Sequence, residues 1–414
     1  MSTAVRRTGS KQQHLARARP HQRAALFGPA FVAAIAYVDP GNFATNFAAG
    51  SSFGNRLLWV VVGASAMAVL IQFLSAKLGL ATGLDLASLC RQRYPRTVVV
   101  GLWVTAELAV LATDLAEVIG GVIALGLLFG TPPLLAALIT CGVSFALLAL
   151  HSRGIRTFTR AITGLLAVIT LGFLFSLVCA GVEPGPVVAG LVPGDPGPDG
   201  MLLASGIIGA TVMPHAIFLH SGLAAATRTA DPRTALARTR HEIIIALGLA
   251  GLVNAAMVVL AARVFHDGTF GDTQGVATLE QIHAGLGPRI GEAASLAFAL
   301  ALLASGFASS AVGTLAGQIV MEGFLRRSIP LLIRRAATLA PALAVVALGV
   351  STTSALIWSQ ALLTLGLPFV LVPLIALTRD RSLMGPLANR AATTVCAGIA
   401  TTMVVVLNLL LLDL

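Results

Sequence analysis

Apolar residues run along this chain in long stretches divided by short polar or basic connections. Eleven such segments can be marked, at about 27–50, 57–80, 100–130, 132–150, 157–181, 201–225, 243–264, 291–321, 336–350, 353–377 and 391–412. Each is close to the ~20 residues that a helix needs to cross a bilayer. The pattern predicts an all-α integral membrane protein with eleven transmembrane helices. Segment one carries Asp39-Pro40-Gly41-Asn42 at its centre, and segment six carries Gly209-Ala210-Thr211-Val212-Met213-Pro214-His215. Proline removes a backbone donor and glycine loosens the chain, so both helices are expected to break there. Irregular backbone survives at membrane depth only when it is buried in protein or lines a cavity. The breaks lie five helices apart, and an odd repeat reverses direction across the membrane. A 5+5 inverted repeat with discontinuous helices 1 and 6 follows, and matched broken helices mark the central site of a transporter. Two unrelated proline kinks are the plainer alternative.

Composition agrees with this class: 57% of the 414 residues are hydrophobic and 11% are charged, against about 25% charged in a soluble domain. A formal charge of +10 would suggest nucleic acid if it were clustered on a soluble face, but no such domain is expected, so the bilayer and not nucleic acid is the anticipated surroundings. Residues 1–23 read as a disordered, basic cytoplasmic tail without a cleavable signal, and 24–414 as one transmembrane domain. With the N-terminus inside, 24 of the 27 Lys and Arg residues fall on the inner side, leaving Arg56, Arg263 and Arg289 outside. That is the asymmetry of the positive-inside rule, and it sets the C-terminus outside. Cys90, Cys141, Cys179 and Cys396 lie far apart and read as small apolar fillers.

An ionisable residue at the depth of Asp39 costs at least ~2.5 kcal/mol, which makes it a functional-site candidate; a buried structural hydrogen-bonder is the bland account. In the expected topology each broken helix enters its break through the C-terminal end of a half-helix. Carbonyls near Ala36 and Ala210 then lose their helical partners and carry the negative end of the dipole, which suits a cation. Asp39 adds full charge, Asn42 a neutral oxygen and Met213 a thioether. A thioether favours transition metals over magnesium and calcium, although a methionine in an apolar helix is ordinarily packing. Segment three carries Glu107, Asp114 and Glu117 at spacings of seven and three, on one helical face. Such a stripe suits a proton route, or else structural pairing with a basic or amide partner. His215 either joins that route or is a buried, hydrogen-bonded histidine. His220 faces elsewhere and is given no role beyond packing or lining a pathway.

The sequence resembles the natural resistance-associated macrophage protein (Nramp) family of proton-coupled divalent-metal transporters. The resemblance runs over nearly all of the chain beyond the tail. It is carried by Tyr37-Val38-Asp39-Pro40-Gly41-Asn42-Phe43-Ala44-Thr45, by Gly209 to His215, by Ala112-Thr113-Asp114-Leu115-Ala116-Glu117 and by Gly313-Thr314-Leu315-Ala316-Gly317-Gln318. It implies a LeuT-like fold and a site in which Asp39, Asn42 and Met213 bind metal with backbone carbonyls. Manganese is the implied physiological ion, with iron, cobalt and cadmium as further substrates; retention of Met213 weighs against magnesium. The resemblance favours the proton route in segment three, with Arg334 and Arg335 as partners at its inner end. It also aligns Gln360 with a position from which helix ten offers an amide to the site, an interhelical hydrogen bond being the competing account. Ala216 departs from the family pattern, in which many members carry Asn after the histidine. Metal ions and protons are the expected partners, with no cofactor and no obligate protein partner. An organic-solute symporter of the same architecture remains the alternative, but its site would want donors for a carboxylate. A receptor would need a soluble signalling extension, and an enzyme a nucleophile–base pair; neither is expected.

Overall fold

A computed structural model describes residues 28–412 apart from 230, 267–276, 328–332, 334–339, 346–347 and 350. In chain order the helices are α1 (Pro29–Ile35), α2 (Pro40–Phe53), α3 (Leu58–Thr82), α4 (Leu86–Arg93), α5 (Arg96–Phe129), α6 (Pro133–Ser152), α7 (Ile155–Ala180) and α8 (Pro184–Ala189). There follow α9 (Gly197–Thr211), α10 (Pro214–Ala226), α11 (Pro232–Phe265), α12 (Leu279–Ile290), α13 (Glu292–Leu325), α14 (Thr352–Arg379), α15 (Arg381–Met384) and α16 (Ala391–Leu412). No strand occurs among the described residues. Nine helical stretches among them are long and apolar enough to cross a membrane, with α2 and α3 counted as one and α9 and α10 as another.

Every expected segment has helix within it; of segment nine, 340–345 is helical while 336–339, 346–347 and 350 lie outside the described residues, as the basic tail does entirely. Segments one and six are both split as expected, into α1 and α2 and into α9 and α10. The ends differ more than the existence of the helices. Helix α11 starts at Pro232 rather than at 243, because Asp231 caps it, accepting from the Arg233 N–H at 3.1 Å and the Thr234 N–H at 3.3 Å. Hydropathy marks the apolar stretch of a helix, and the polar turns at 232–242 lie before it. Short helices α4, α8 and α12, which were not expected, connect the long ones.

Packing follows the proposed repeat. Exchanging helices 1 with 6, 2 with 7, 3 with 8 and 5 with 10 should map each contact onto another. Helix α2 packs on α11, and its counterpart α10 packs on α3; α13 packs on α7, and α5 on α14; α5 and α13 pack on each other. Close approach at the first two interfaces needs glycine. A Cβ on Gly50 of α2 would collide with the Val258 carbonyl of α11, and one on Gly79 of α3 with the Ser221 carbonyl of α10. Small residues at such seams let helix backbones meet in a membrane, where no hydrophobic force drives them together. Aromatic rings then fix α2 against the rest: Phe43 meets Phe173 edge-on at 5.2 Å and Phe47 meets Phe298 at 5.1 Å.

Candidate metal site

The two breaks share one local design. Helical order in segment one ends in a 3-10 turn, Ala36–Val38, and Asp39 follows in extended conformation (φ −82°, ψ 171°) before α2 begins at Pro40. In segment six α9 ends at Thr211, Val212 and Met213 turn the chain, and α10 begins at Pro214. An α-helical carbonyl at Ala36 would be paired by the N–H four residues on, which is Pro40; at Ala210 the same position is Pro214. Neither proline has an N–H to give, so neither carbonyl has its α-helical partner. Other carbonyls at the first break are taken up by side chains. Asn254 Nδ2 donates to the Tyr37 carbonyl at 2.7 Å, and Ser305 Oγ to the Val38 carbonyl at 2.6 Å.

Asp39 is fully buried and its two oxygens differ. Oδ1 caps α2, accepting from the Asn42 N–H at 2.8 Å and from Asn42 Nδ2 at 2.7 Å. Oδ2 has no hydrogen-bond partner, and neither has Asn42 Oδ1. Asn42 Nδ2 also donates to the Ala210 carbonyl at 3.0 Å, which joins the two breaks directly. Buried acceptors without donors cost free energy, about 1–3 kcal/mol each and more when charged, and a cation removes that cost. Met213, the residue before α10, is also fully buried. The candidate donors are thus one carboxylate oxygen, one amide oxygen, a thioether and the carbonyls at the breaks. Among the described residues no group of three or more His, Cys, Asp and Glu is arranged to hold a metal.

Gln360 of α14 lies between the two broken helices. A Cβ on Gly41 would overlap its side-chain amide, and a Cβ on Gly209 would overlap its backbone carbonyl. Its Nε2 donates to Ser359 Oγ at 3.2 Å, while its Oε1 is buried without a partner. The amide oxygen is therefore left without a partner beside the breaks, and the interhelical hydrogen bond offered as its competing role is not made by that atom.

On α5, Asp114 and Glu117 are buried and Glu107 is half-buried. The Glu117 carboxylate lies against α13, where a Cβ on Gly313 would come within 2.7 Å of Oε1. His215 Nδ1 is 3.2 Å from Thr113 Oγ1, so the first turn of α10 touches α5 beside Asp114. Arg334 and Arg335 lie outside the described residues. A polar chain beside the centre was not among the expectations. His220 Nδ1 is 2.8 Å from Gln72 Oε1, and Gln72 Nε2 donates to the Tyr37 hydroxyl at 2.5 Å. Asn46 Nδ2 in turn donates to Asn254 Oδ1 at 2.8 Å. His220 is thus part of a hydrogen-bonded chain linking α10, α3 and the first break. The available signal was Gln72, Asn46 and Asn254, lone amides in apolar helices.

Fold and centre together define a membrane transporter of the inverted-repeat, broken-helix type, with its buried centre where the repeats meet. The family model described as natural resistance-associated macrophage protein-like matches residues 30–413. A divalent metal cation transporter, MntH, of Chromohalobacter salexigens is 46% identical over 394 residues, covering 94% of this chain and 91% of that protein. The MntH of Aeromonas hydrophila is 46% identical over 389 residues, covering 94% and 95%. Among solved structures, the manganese transporter of Eremococcus coleocola, in complex with an aromatic bis-isothiourea substituted compound, superposes with a TM-score of 0.81 at 33% identity, covering 98% of this chain and 88% of that one. A nucleobase-cation-symport-1 family transporter in a closed conformation shares the fold alone, with a TM-score of 0.60 at 17% identity over 94% of this chain and 90% of its own. The chain belongs to the Nramp family.

Proposed function

We propose that this protein imports divalent transition-metal ions, manganese foremost and iron, cobalt and cadmium besides, together with protons across the cytoplasmic membrane. The observation that carries the reading is the pair of buried, unpartnered oxygens, Asp39 Oδ2 and Asn42 Oδ1, beside the Ala210 carbonyl. The names of the relatives, divalent metal cation transporter and manganese transporter, support it. Ion entry displaces the Asn42 amide from the Ala210 carbonyl and exchanges it for metal–oxygen contacts. Asp39, Asn42, Met213 and the Ala36 and Ala210 carbonyls form the shell, and Gln360 Oε1 completes it from α14. Oxygens supply charge and hard contacts; the Met213 sulfur supplies preference for transition metals.

The centre opens to one side at a time as the broken helices move against α5 and α13. Protons pass by Glu107, Asp114 and Glu117, with His215 handing them from the centre and Arg334 and Arg335 at the inner end. The N-terminus lies in the cytoplasm and the C-terminus outside, so the membrane potential pulls cations inward, at about 2.3 kcal/mol per charge per 100 mV. No cofactor takes part, and no other protein is required. Uptake of radiolabelled manganese into proteoliposomes, driven by an inward proton gradient, tests this. Wild-type vesicles should accumulate the ion and Asp39→Ala vesicles should not; equal uptake by the two would end the assignment.

A further inference from the structure

A groove of about 400 Å³ runs between α14 and α16, remote from the centre. Its walls are Val372 and Ala376 on one helix and Thr401 and Val405 on the other, with Arg379 at its mouth. Along α16 the lining extends from Thr394 to Val405, a run of about 16 Å at ~1.5 Å per residue. That is half of the ~30 Å hydrocarbon core, the depth of one leaflet.

The mouth is cationic by construction. Where the chain leaves α14 and returns to α16, Asn389 N–H donates to the Thr378 carbonyl at 2.9 Å, and Asn389 Nδ2 to Thr378 Oγ1 at 2.8 Å. This clasp closes the loop, and Arg379, the last residue of α14, and Arg390, the residue before α16, are both exposed. The acid between them is already engaged. Asp380 accepts from the Ser382 N–H at 2.8 Å and the Ser382 hydroxyl at 2.7 Å, and Arg93 approaches it at 3.6 Å. An apolar slot one leaflet deep, opening under two arginines at the polar end of its helices, has the chemistry of a phospholipid carrying a negative headgroup.

We propose that this groove holds one acyl chain of an anionic phospholipid, whose phosphate rests on Arg379 and Arg390. Gly398 lines the groove wall, and a Cβ there meets no atom within 4 Å. Gly398→Leu therefore fills the slot from inside without disturbing the helices, and leaves both arginines in place.

The test uses the full-length protein in neutral detergent, titrated with phosphatidylglycerol or phosphatidylcholine, with bound lipid counted by native mass spectrometry. Phosphatidylglycerol should be retained in preference to phosphatidylcholine. Each surface cation accounts for about fivefold in affinity, so Arg379→Gln with Arg390→Gln should weaken retention by about 25-fold. Gly398→Leu should weaken it too, while Arg156→Gln, an exposed cation on α7, should not. Glycerol 3-phosphate, which has the headgroup chemistry without the chain, should fail to displace the lipid at equal concentration. Equal retention of the two lipids would overturn the proposal. So would a loss in Arg156→Gln as large as in the paired variant, which indicates diffuse surface charge, or full retention in Gly398→Leu, which places the chain elsewhere.

Discussion

Asp39 holds two duties on two atoms, and they can be separated by substitution. Oδ1 caps α2 through the Asn42 N–H at 2.8 Å, while Oδ2 has no hydrogen-bond partner and is the atom the proposed function gives to the ion. Asp39→Ala removes both, while Asp39→Asn keeps an acceptor for the cap and removes the charge. Loss of the cap costs about 1 kcal/mol and belongs to the alanine variant. Loss of the charge belongs to both. A carboxylate about 2.2 Å from a divalent ion has a gross Coulomb attraction of about 15 kcal/mol at an effective dielectric constant of ~20. Most of that is returned as desolvation that no longer has to be met. Breaking a buried ion pair by removing one partner costs a net of about 3–5 kcal/mol, which corresponds to about 100-fold to several-thousand-fold in affinity. Calorimetric titration of manganese into purified protein measures this. Asp39→Asn should bind at least about 100-fold more weakly with wild-type thermal stability, and Asp39→Ala should be equally weak and also less stable. If Asp39→Asn bound manganese within about tenfold of wild type, the carboxylate would be a cap and nothing more.

Replacing Met213 by Leu keeps the buried volume, at a stability cost below about 1.5 kcal/mol, and removes the sulfur. Cadmium affinity should fall at least about tenfold while calcium and magnesium inhibit manganese uptake more strongly; an unchanged inhibition profile would take the filter role from Met213. Gly209→Ala drives a Cβ into the Gln360 carbonyl and the Thr364 hydroxyl, an overpacking worth about 1–3 kcal/mol. It should lower the unfolding temperature and manganese uptake together, and an active, fully stable variant would show that α9 and α14 are not held this closely. Asp114→Asn and Glu117→Gln should leave manganese binding within about threefold, since neither is assigned to the shell, while abolishing proton influx read with a pH-sensitive dye in the same vesicles; influx at wild-type rates would remove the segment-three route.

Local features were the legible ones. Pro40 and Pro214 break their helices by what they lack, and that deficiency is visible in the sequence wherever they stand. The odd interval between them was enough to set the repeat, which the packing of α2 on α11 and of α10 on α3 follows. Hydropathy located the long helices but misplaced the start of α11, since the cap at Asp231 and the polar turns after it carry no apolar signal. Pairings between distant residues were not legible. Asn42 meets the Ala210 carbonyl across 168 positions, and His220 meets Gln72 across 148. A lone amide in an apolar helix shows that a partner is needed without saying which. Gln360 is the instructive case: its residue type allowed either a hydrogen-bonding or a liganding role, and only Gly41 and Gly209, which leave room for it between the breaks, bring it to the centre.

The central claim is that the two breaks form one metal centre. Crystals of the protein soaked in manganese, measured at the manganese absorption edge, address it directly through the anomalous difference map. A single strong peak is expected within bonding distance of Asp39 Oδ2, Asn42 Oδ1, the Ala210 carbonyl and Met213 Sδ. A peak among the α5 carboxylates, with none between the breaks, would contradict the account.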